Sequence, residues 1–321
     1  ENEDFFILYE GLIYNYSETY IKNRIIQIAY ELIERKEINE TIKVFVSDSD
    51  GEFIINILDK KQKRFYVLND YFGRLAIYYN INEDQIIISR GMKFILNYTT
   101  NIKFDRSGLA ENLMLGYTLG DKTFFSGIKR LYPSELLSID FKSSINFKLV
   151  KTTDFNLKLG NSFKNRKESL NTLYNTFLEA TKNRIAKLNE LKFSIISDLS
   201  GGYDSRILLG CLKKFSKEIT YITYEYNQDE SIIAEKLFKK LDSPGEYVKF
   251  KFDNVVDMQS ISEIVYKLDG LVNYFSTAIC YNDIKFVKRN KKEKIAHFGG
   301  LGGEFIRHPH QKYYKSILYG Y

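Results

Sequence analysis

Late in this chain, Ser200-Gly-Gly-Tyr-Asp-Ser205 stands between an apolar run at 193–197 and a run at 206–212 whose apolar residues recur at helical spacing. That order predicts a strand, a glycine-rich turn and a helix. The rhythm continues. Residues 219–224 read as a strand and 230–241 as a helix; 247–252 read as a strand, followed by helices at 257–268 and 275–288 and a last strand at 295–298. Strands joined by helices cannot pair as hairpins, so the alternation predicts a parallel sheet with helices on both faces. Ligands of such sheets bind beyond the carboxyl ends of the strands. The turn at 200–205 lies at that edge, and so does Gly299-Gly-Leu-Gly-Gly-Glu304.

The first turn has the chemistry of an anion cradle. Gly201 and Gly202 carry no side chain, so backbone N–H groups are open to a ligand. A helix that starts near Asp204 turns its free N–H groups and the positive end of its dipole to the same place. Ser200 and Ser205 add hydroxyls. A carboxylate inside such a cradle repels phosphate unless a cation lies between, so Asp204 implies Mg²⁺. Four glycines at 299–303 allow a second close backbone approach, and Glu304 supplies a second carboxylate. Asp204 and Glu304 are the expected metal ligands. Ser200, Gly201, Gly202 and Ser205 are expected to hold pyrophosphate. No Lys follows the glycines, which excludes a Walker-type loop. The pattern suits cleavage between the α- and β-phosphates of ATP, with attack by a carboxylate at the α-phosphorus and departure of pyrophosphate. Arg307, within Arg307-His-Pro-His310, is read as an active-site residue at the rim, beside Asp204 and Glu304.

The first half of the chain has a different rhythm. A helical face covers 18–36, with apolar residues at Ile21, Ile25, Ile28, Ala29, Leu32 and Ile33. Short aromatic and β-branched runs follow at 53–58, 64–68, 75–79 and 85–89, separated by turn-type stretches; they predict an antiparallel meander. A helix at 107–115 and strands at 136–139 and 147–150 complete this half. Polar residues at 156–168 predict a linker, and a long helix follows at 168–188. The expectation is two domains, 1–155 and 165–321. Composition is that of a globular chain: 44% hydrophobic and 27% charged, with net charge +6. Two well-separated cysteines, Cys211 and Cys280, argue against a disulfide framework and suit a cytoplasmic location. No run is long enough to span a membrane.

These motifs resemble those of the asparagine synthetase family, which includes β-lactam synthetases and lasso-peptide cyclases. Ser200-Gly-Gly-Tyr-Asp-Ser205 is similar to the pyrophosphate loop of N-type ATP pyrophosphatases. Asp50-Gly-Glu-Phe53, Asn69-Asp-Tyr-Phe-Gly-Arg74 with Tyr78-Tyr79, and Gly116-Tyr-Thr118 with Thr123 to Pro133 resemble the family's amidotransferase-like domain. The resemblance implies an α/β architecture: an N-terminal Ntn-hydrolase-like antiparallel domain, then a Rossmann-like ATP pyrophosphatase domain. It also implies that adenine and ribose lie against the backbone near Leu199, Thr223 and Gly300; Gly299 is expected among the cofactor-binding residues. Departures carry information too. No Cys precedes Cys211, and the family's Asn-Gly-Glu appears as Glu10-Gly11-Leu12. A carboxylate cannot donate to an oxyanion and Leu cannot pair with an ammonium, so glutamine hydrolysis is expected to be lost. Only Asp269 and Ser276 remain of the family's acid-substrate motifs, which argues against aspartate as the substrate.

The expected activity is an ATP- and Mg²⁺-dependent ligase. It adenylates a small-molecule or peptide carboxylate and joins it to ammonia or a substrate amine, releasing AMP and pyrophosphate. Neither a membrane nor a nucleic acid is the expected partner; a homodimer is compatible with the sequence. Two alternatives stand beside this reading: a tRNA-modifying enzyme with the same loop, and a non-catalytic scaffold that keeps the fold.

Overall fold

The computed structural model describes residues 4–35, 38–154, 164–216, 218–225, 228–240, 245–251, 258–269 and 294–300. The chain divides into two compact units, Glu1–Phe163 with Gln259–Ser276, and Lys164–Met258 with Thr277–Tyr321.

The first unit is layered. Its larger sheet has the order β1-β2-β3-β7-β8, built from β1 (Phe5–Ile13), β2 (Gly51–Asp59), β3 (Arg64–Asn69), β7 (Glu135–Asp140) and β8 (Asn146–Lys151). Every neighbouring pair is antiparallel. Period-two alternation gives this sheet two apolar faces. One face carries Phe53, Ile55, Ile57, Tyr66 and Leu68 and is covered by α1 (Glu18–Arg35) and α2 (Glu40–Asp48), whose Ile21, Ile25, Ile28, Ile42 and Phe45 fill that core. The other carries Ile54, Val67, Leu137 and Ile139 and packs on a second sheet through Tyr79. That sheet has the order β5-β4-β6, with β4 (Tyr78–Ile81), β5 (Ile86–Ser89) and β6 (Lys129–Arg130). Beyond it α3 (Met92–Tyr98) buries Met92 and Ile95 against Tyr78 and Ile87. The layers therefore run helix, sheet, sheet, helix. The remaining helix of this half, α4 (Arg106–Leu115), is N-capped by Asp105, which accepts from the Gly108 N–H at 2.9 Å.

The second unit opens with α5 (Arg166–Glu190) and holds the sheet β11-β10-β9-β12. Its strands are β9 (Ser194–Asp198), β10 (Ile219–Glu225), β11 (Glu246–Lys251) and β12 (Ile295–Phe298), all parallel. Between them run α6 (Tyr203–Phe215) and α7 (Gln228–Lys240). Strand order steps in one direction from β9 through β10 to β11, so right-handed crossovers put both helices on one face. There Leu208, Leu209, Leu212 and Ala234 pack on Ile195, Ile219 and Tyr221, with Ile185 of α5. Among the described residues the opposite face is made by the strands' own Ile196, Ile222, Tyr224, Phe250 and Ile295. Helices on both faces are thus not seen in this part of the chain; the expected helix at 275–288 lies outside the described residues. The last helix, α8 (Met258–Lys267), groups with the first unit.

β12 sits on the far side of β9 from β10. The strand order reverses between β9 and β12, and such a reversal opens a crevice at the carboxyl edge. No helix among the described residues is long and apolar enough to cross a membrane.

Candidate functional site

The loop from β9 to α6 leaves the sheet at this reversal. Its base is fastened to β10: the Leu199 N–H donates to the Ile222 carbonyl at 2.8 Å, and the buried Thr223 hydroxyl donates to the Leu199 carbonyl at 2.5 Å. Leu199 and Thr223, expected near the adenine, therefore spend these polar groups on each other and on β10. Within the loop the two serines brace one another. Ser200 Oγ and Ser205 Oγ are 3.0 Å apart, the Ser200 N–H donates to Ser205 Oγ at 3.1 Å, and the Gly202 N–H donates to Ser200 Oγ at 3.1 Å. The hydroxyls thus set the shape of the turn.

Gly202 is the N-cap of α6, in extended backbone with φ −75°, and no side chain caps the helix. The first-turn N–H groups of Tyr203, Asp204 and Ser205 have no intrahelical carbonyl to meet, as at any helix start. They form the anion-attracting end of a 13-residue helix. A Cβ on Gly202 would stand 3.2 Å from Ser200 Oγ, a tight contact.

The second glycine segment reaches the same place. After β12, a Cβ on Gly299 would lie 3.3 Å from Asp198 Oδ2; one on Gly300 would lie 3.4 Å from both Asp204 Cβ and the Ser205 nitrogen. Gly300 thus leaves a bare gap beside Asp204 and the α6 N-terminus. The structure brings together Ser200, Gly201, Gly202, Asp204, Ser205, Gly299 and Gly300. Glu304 and Arg307 lie outside the described residues, so the second carboxylate and the rim arginine are not placed. Among the described residues, no group of three or more His, Cys, Asp and Glu side chains is arranged to hold a metal.

Three contacts at this edge are not readable from the sequence. Arg206, one turn into α6, folds back so that Nη2 donates to the Gly201 carbonyl at 2.5 Å, with its guanidinium 5.1 Å from the Tyr203 ring centroid. Glu230 of α7 stands against Gly201, 3.4 Å from its would-be Cβ. His297 Nε2 and Asp198 Oδ1 are 2.8 Å apart across β12 and β9.

In the first unit, the Glu10-Gly11-Leu12 stretch lies on β1, paired with β2. Gly11 has φ +111°, and a Cβ there would stand 2.0 Å from the Glu52 carbonyl oxygen, so only glycine fits. Glu10 is held by Arg90, whose Nε donates to Oε1 at 3.1 Å. Glu52 is held by the Tyr14 hydroxyl and by Arg74 Nη1, the latter at 3.4 Å. Asn69 and Asp70 are structural. Asn69 bridges the Tyr132 carbonyl and the Glu135 N–H, while buried Asp70 accepts from Phe72 and Arg74 N–H groups. Asp269, singled out for an acid-substrate role, accepts from the Met92 and Lys93 N–H groups at 3.0 and 3.3 Å and so caps α3. Cys211 is buried in α6, and burial raises its thiol pKa.

The layered first unit has a counterpart among known families. Residues 1–148 match the family described as a glutamine amidotransferase domain. Similar solved structures include glutamine phosphoribosylpyrophosphate amidotransferase from B. subtilis complexed with ADP and GMP, at 12% identity and TM-score 0.28 over 82% of this chain and 51% of that one. Another is a structure of the allosteric regulatory enzyme of purine biosynthesis, at 9% identity and TM-score 0.29 over 78% of this chain and 61% of that one. The chain spans between about half and three fifths of the length of these two. No curated protein matches it.

Proposed function

We propose that the chain is an AMP-forming ligase: it activates a substrate carboxylate with ATP and joins it to an amine, releasing pyrophosphate and AMP. One observation carries this reading. Gly300 leaves a gap beside Asp204 and the end of α6 that no side chain caps, next to the Gly201-Gly202 turn and where the strand order reverses. That arrangement suits a polyphosphate tail lying along the α6 N-terminus. The first-turn N–H groups stabilise charge as it builds on the leaving pyrophosphate. The substrate carboxylate oxygen bonds to the α-phosphorus as the bond to the bridging oxygen breaks, giving an acyl-adenylate. The amine then bonds to the acyl carbon, loses a proton and displaces AMP.

The donor set fits Mg²⁺. The carboxylate of Asp204, beside a gap that a Cβ would fill, suits an ion that takes one or two protein carboxylates and completes its shell with phosphate and water. Asp204 is the proposed ligand, with Glu304 as the second; when bound, the ion neutralises phosphate charge. The amidotransferase-type unit is proposed to keep its fold without hydrolysing glutamine.

The test is a pyrophosphate-release assay with ATP, Mg²⁺, ammonium and a panel of carboxylic acids. Equal amounts of pyrophosphate and AMP are expected with the right acid. Release of ADP and orthophosphate, or failure to bind ATP in the presence of Mg²⁺, sinks the proposal.

A further inference from the structure

We infer that Arg206 is a positioning residue that makes the loop selective for phosphate by turning the Gly201 carbonyl out of the cradle; this rests on the nucleotide-loop reading above. The peptide between Gly201 and Gly202 carries a carbonyl and an N–H that point in opposite directions. Flanked by two glycines, it meets little steric resistance to rotation. With its carbonyl turned inward it would present negative charge to an anion. The structure fixes it from both ends: Arg206 Nη2 takes the carbonyl at 2.5 Å, and Ser200 Oγ takes the N–H at 3.1 Å.

Arg206 is held for the task. Its guanidinium lies 5.1 Å from the Tyr203 ring centroid, a cation–π separation. Its Nε is buried with no hydrogen-bond partner, and buried polar atoms left unpaired call for an explanation. Holding the carbonyl through Nη2 supplies one: the fork is committed to the loop at the expense of its own third nitrogen. Charge points the same way. Asp204 and Glu230 both stand beside the loop, and a guanidinium there offsets their repulsion of phosphate. A lysine would keep the charge without the planar fork.

Calorimetric titration of Mg-ATP, pyrophosphate and adenosine into the full chain separates the roles. Arg206→Met is expected to weaken pyrophosphate and Mg-ATP by roughly tenfold or more while leaving adenosine unchanged. Arg206→Lys is expected to recover part of that loss. A merely structural role would weaken all three ligands together, which overturns the inference. A variant that binds pyrophosphate as well as the unmodified chain does so too, and leaves the ligase reading standing. An unmodified chain that binds neither pyrophosphate nor Mg-ATP overturns both.

Discussion

At the scale of single residues, two glycines of this chain have opposite reasons for being glycine. At Gly11 the backbone itself demands it, because φ is +111° and the Glu52 carbonyl oxygen would meet a Cβ at 2.0 Å. At Gly300 the nearest atoms would sit at 3.4 Å, an ordinary contact distance, so the fold has room for a methyl group. What the methyl would occupy is the gap beside Asp204. Gly300→Ala is therefore expected to melt within about 0.5 kcal/mol of the unmodified chain. It is expected to lose roughly tenfold or more in pyrophosphate affinity. A thermal melt and a titration on the same sample check both halves; an alanine variant that binds normally would show that the cradle lies elsewhere. The residue-level chemistry of Ser200-Gly-Gly-Tyr-Asp-Ser205 was readable because glycine, serine and aspartate act there through the local backbone. The roles of Arg206, Glu230 and Asp198 were not, since each depends on a neighbour brought in by folding.

At the scale of elements, caps decide where helices begin, and one cap gives a pH signature. Asp105 accepts from the Gly108 N–H at the start of α4 and also from the Ser107 hydroxyl. The backbone hydrogen bond is the first cause of a pKa below the ordinary 3.8, followed by the serine. A carboxyl whose pKa is depressed on folding contributes stability above its unfolded value and loses it as pH falls through the folded value. Asp105→Ala is expected to lower stability by about 1 kcal/mol near neutral pH. Asp105→Asn keeps most of the cap, and its difference from the parent should shrink as pH falls below 3.8. Denaturant melts across pH 3 to 7 (roughly the span of carboxylate titration) check this, and a gap that widens on acidification contradicts the assignment. Elements with a local signal were legible: α5, α6 and β12 appear where the apolar spacing puts them, within a few residues. α3 was not, because its seven residues bury only Met92 and Ile95 and its cap comes from Asp269, 177 positions from Met92. α2 escaped for a similar reason, with Ile42, Phe45 and Val46 marking little more than one turn. The strand expected at 75–79 pairs instead over Tyr78–Ile81, since its register is set by β5 and β6 rather than by its own pattern.

At the scale of the whole molecule, the question is what a unit that matches an amidotransferase domain does in a chain whose second unit carries the proposed nucleotide site. The fold of the first unit is kept by features that have nothing to do with glutamine. Gly11 clears the β2 backbone, Asn69 ties the Tyr132 carbonyl to the Glu135 N–H, and Asp70 closes the turn to Arg74. The proposal that glutamine is not hydrolysed rests on the Glu10-Gly11-Leu12 stretch. Glu10 is paired with Arg90; by the resemblance, Glu10 stands where an amide donor is expected and Leu12 where a carboxylate is expected. Neither can stabilise an oxyanion or hold an ammonium. If the second unit makes an amide, its nitrogen then has to arrive as ammonia or as an amine on the substrate itself. With ATP, Mg²⁺ and the productive acid, ammonium or the substrate amine is expected to sustain pyrophosphate release. Glutamine is expected to give no more than the background rate and no glutamate. Following glutamate and pyrophosphate in the same reaction makes the outcome unambiguous: glutamate rising in step with pyrophosphate would mean that Glu10 and Leu12 tolerate a chemistry their side chains cannot supply, and that the nitrogen is made in the first unit after all.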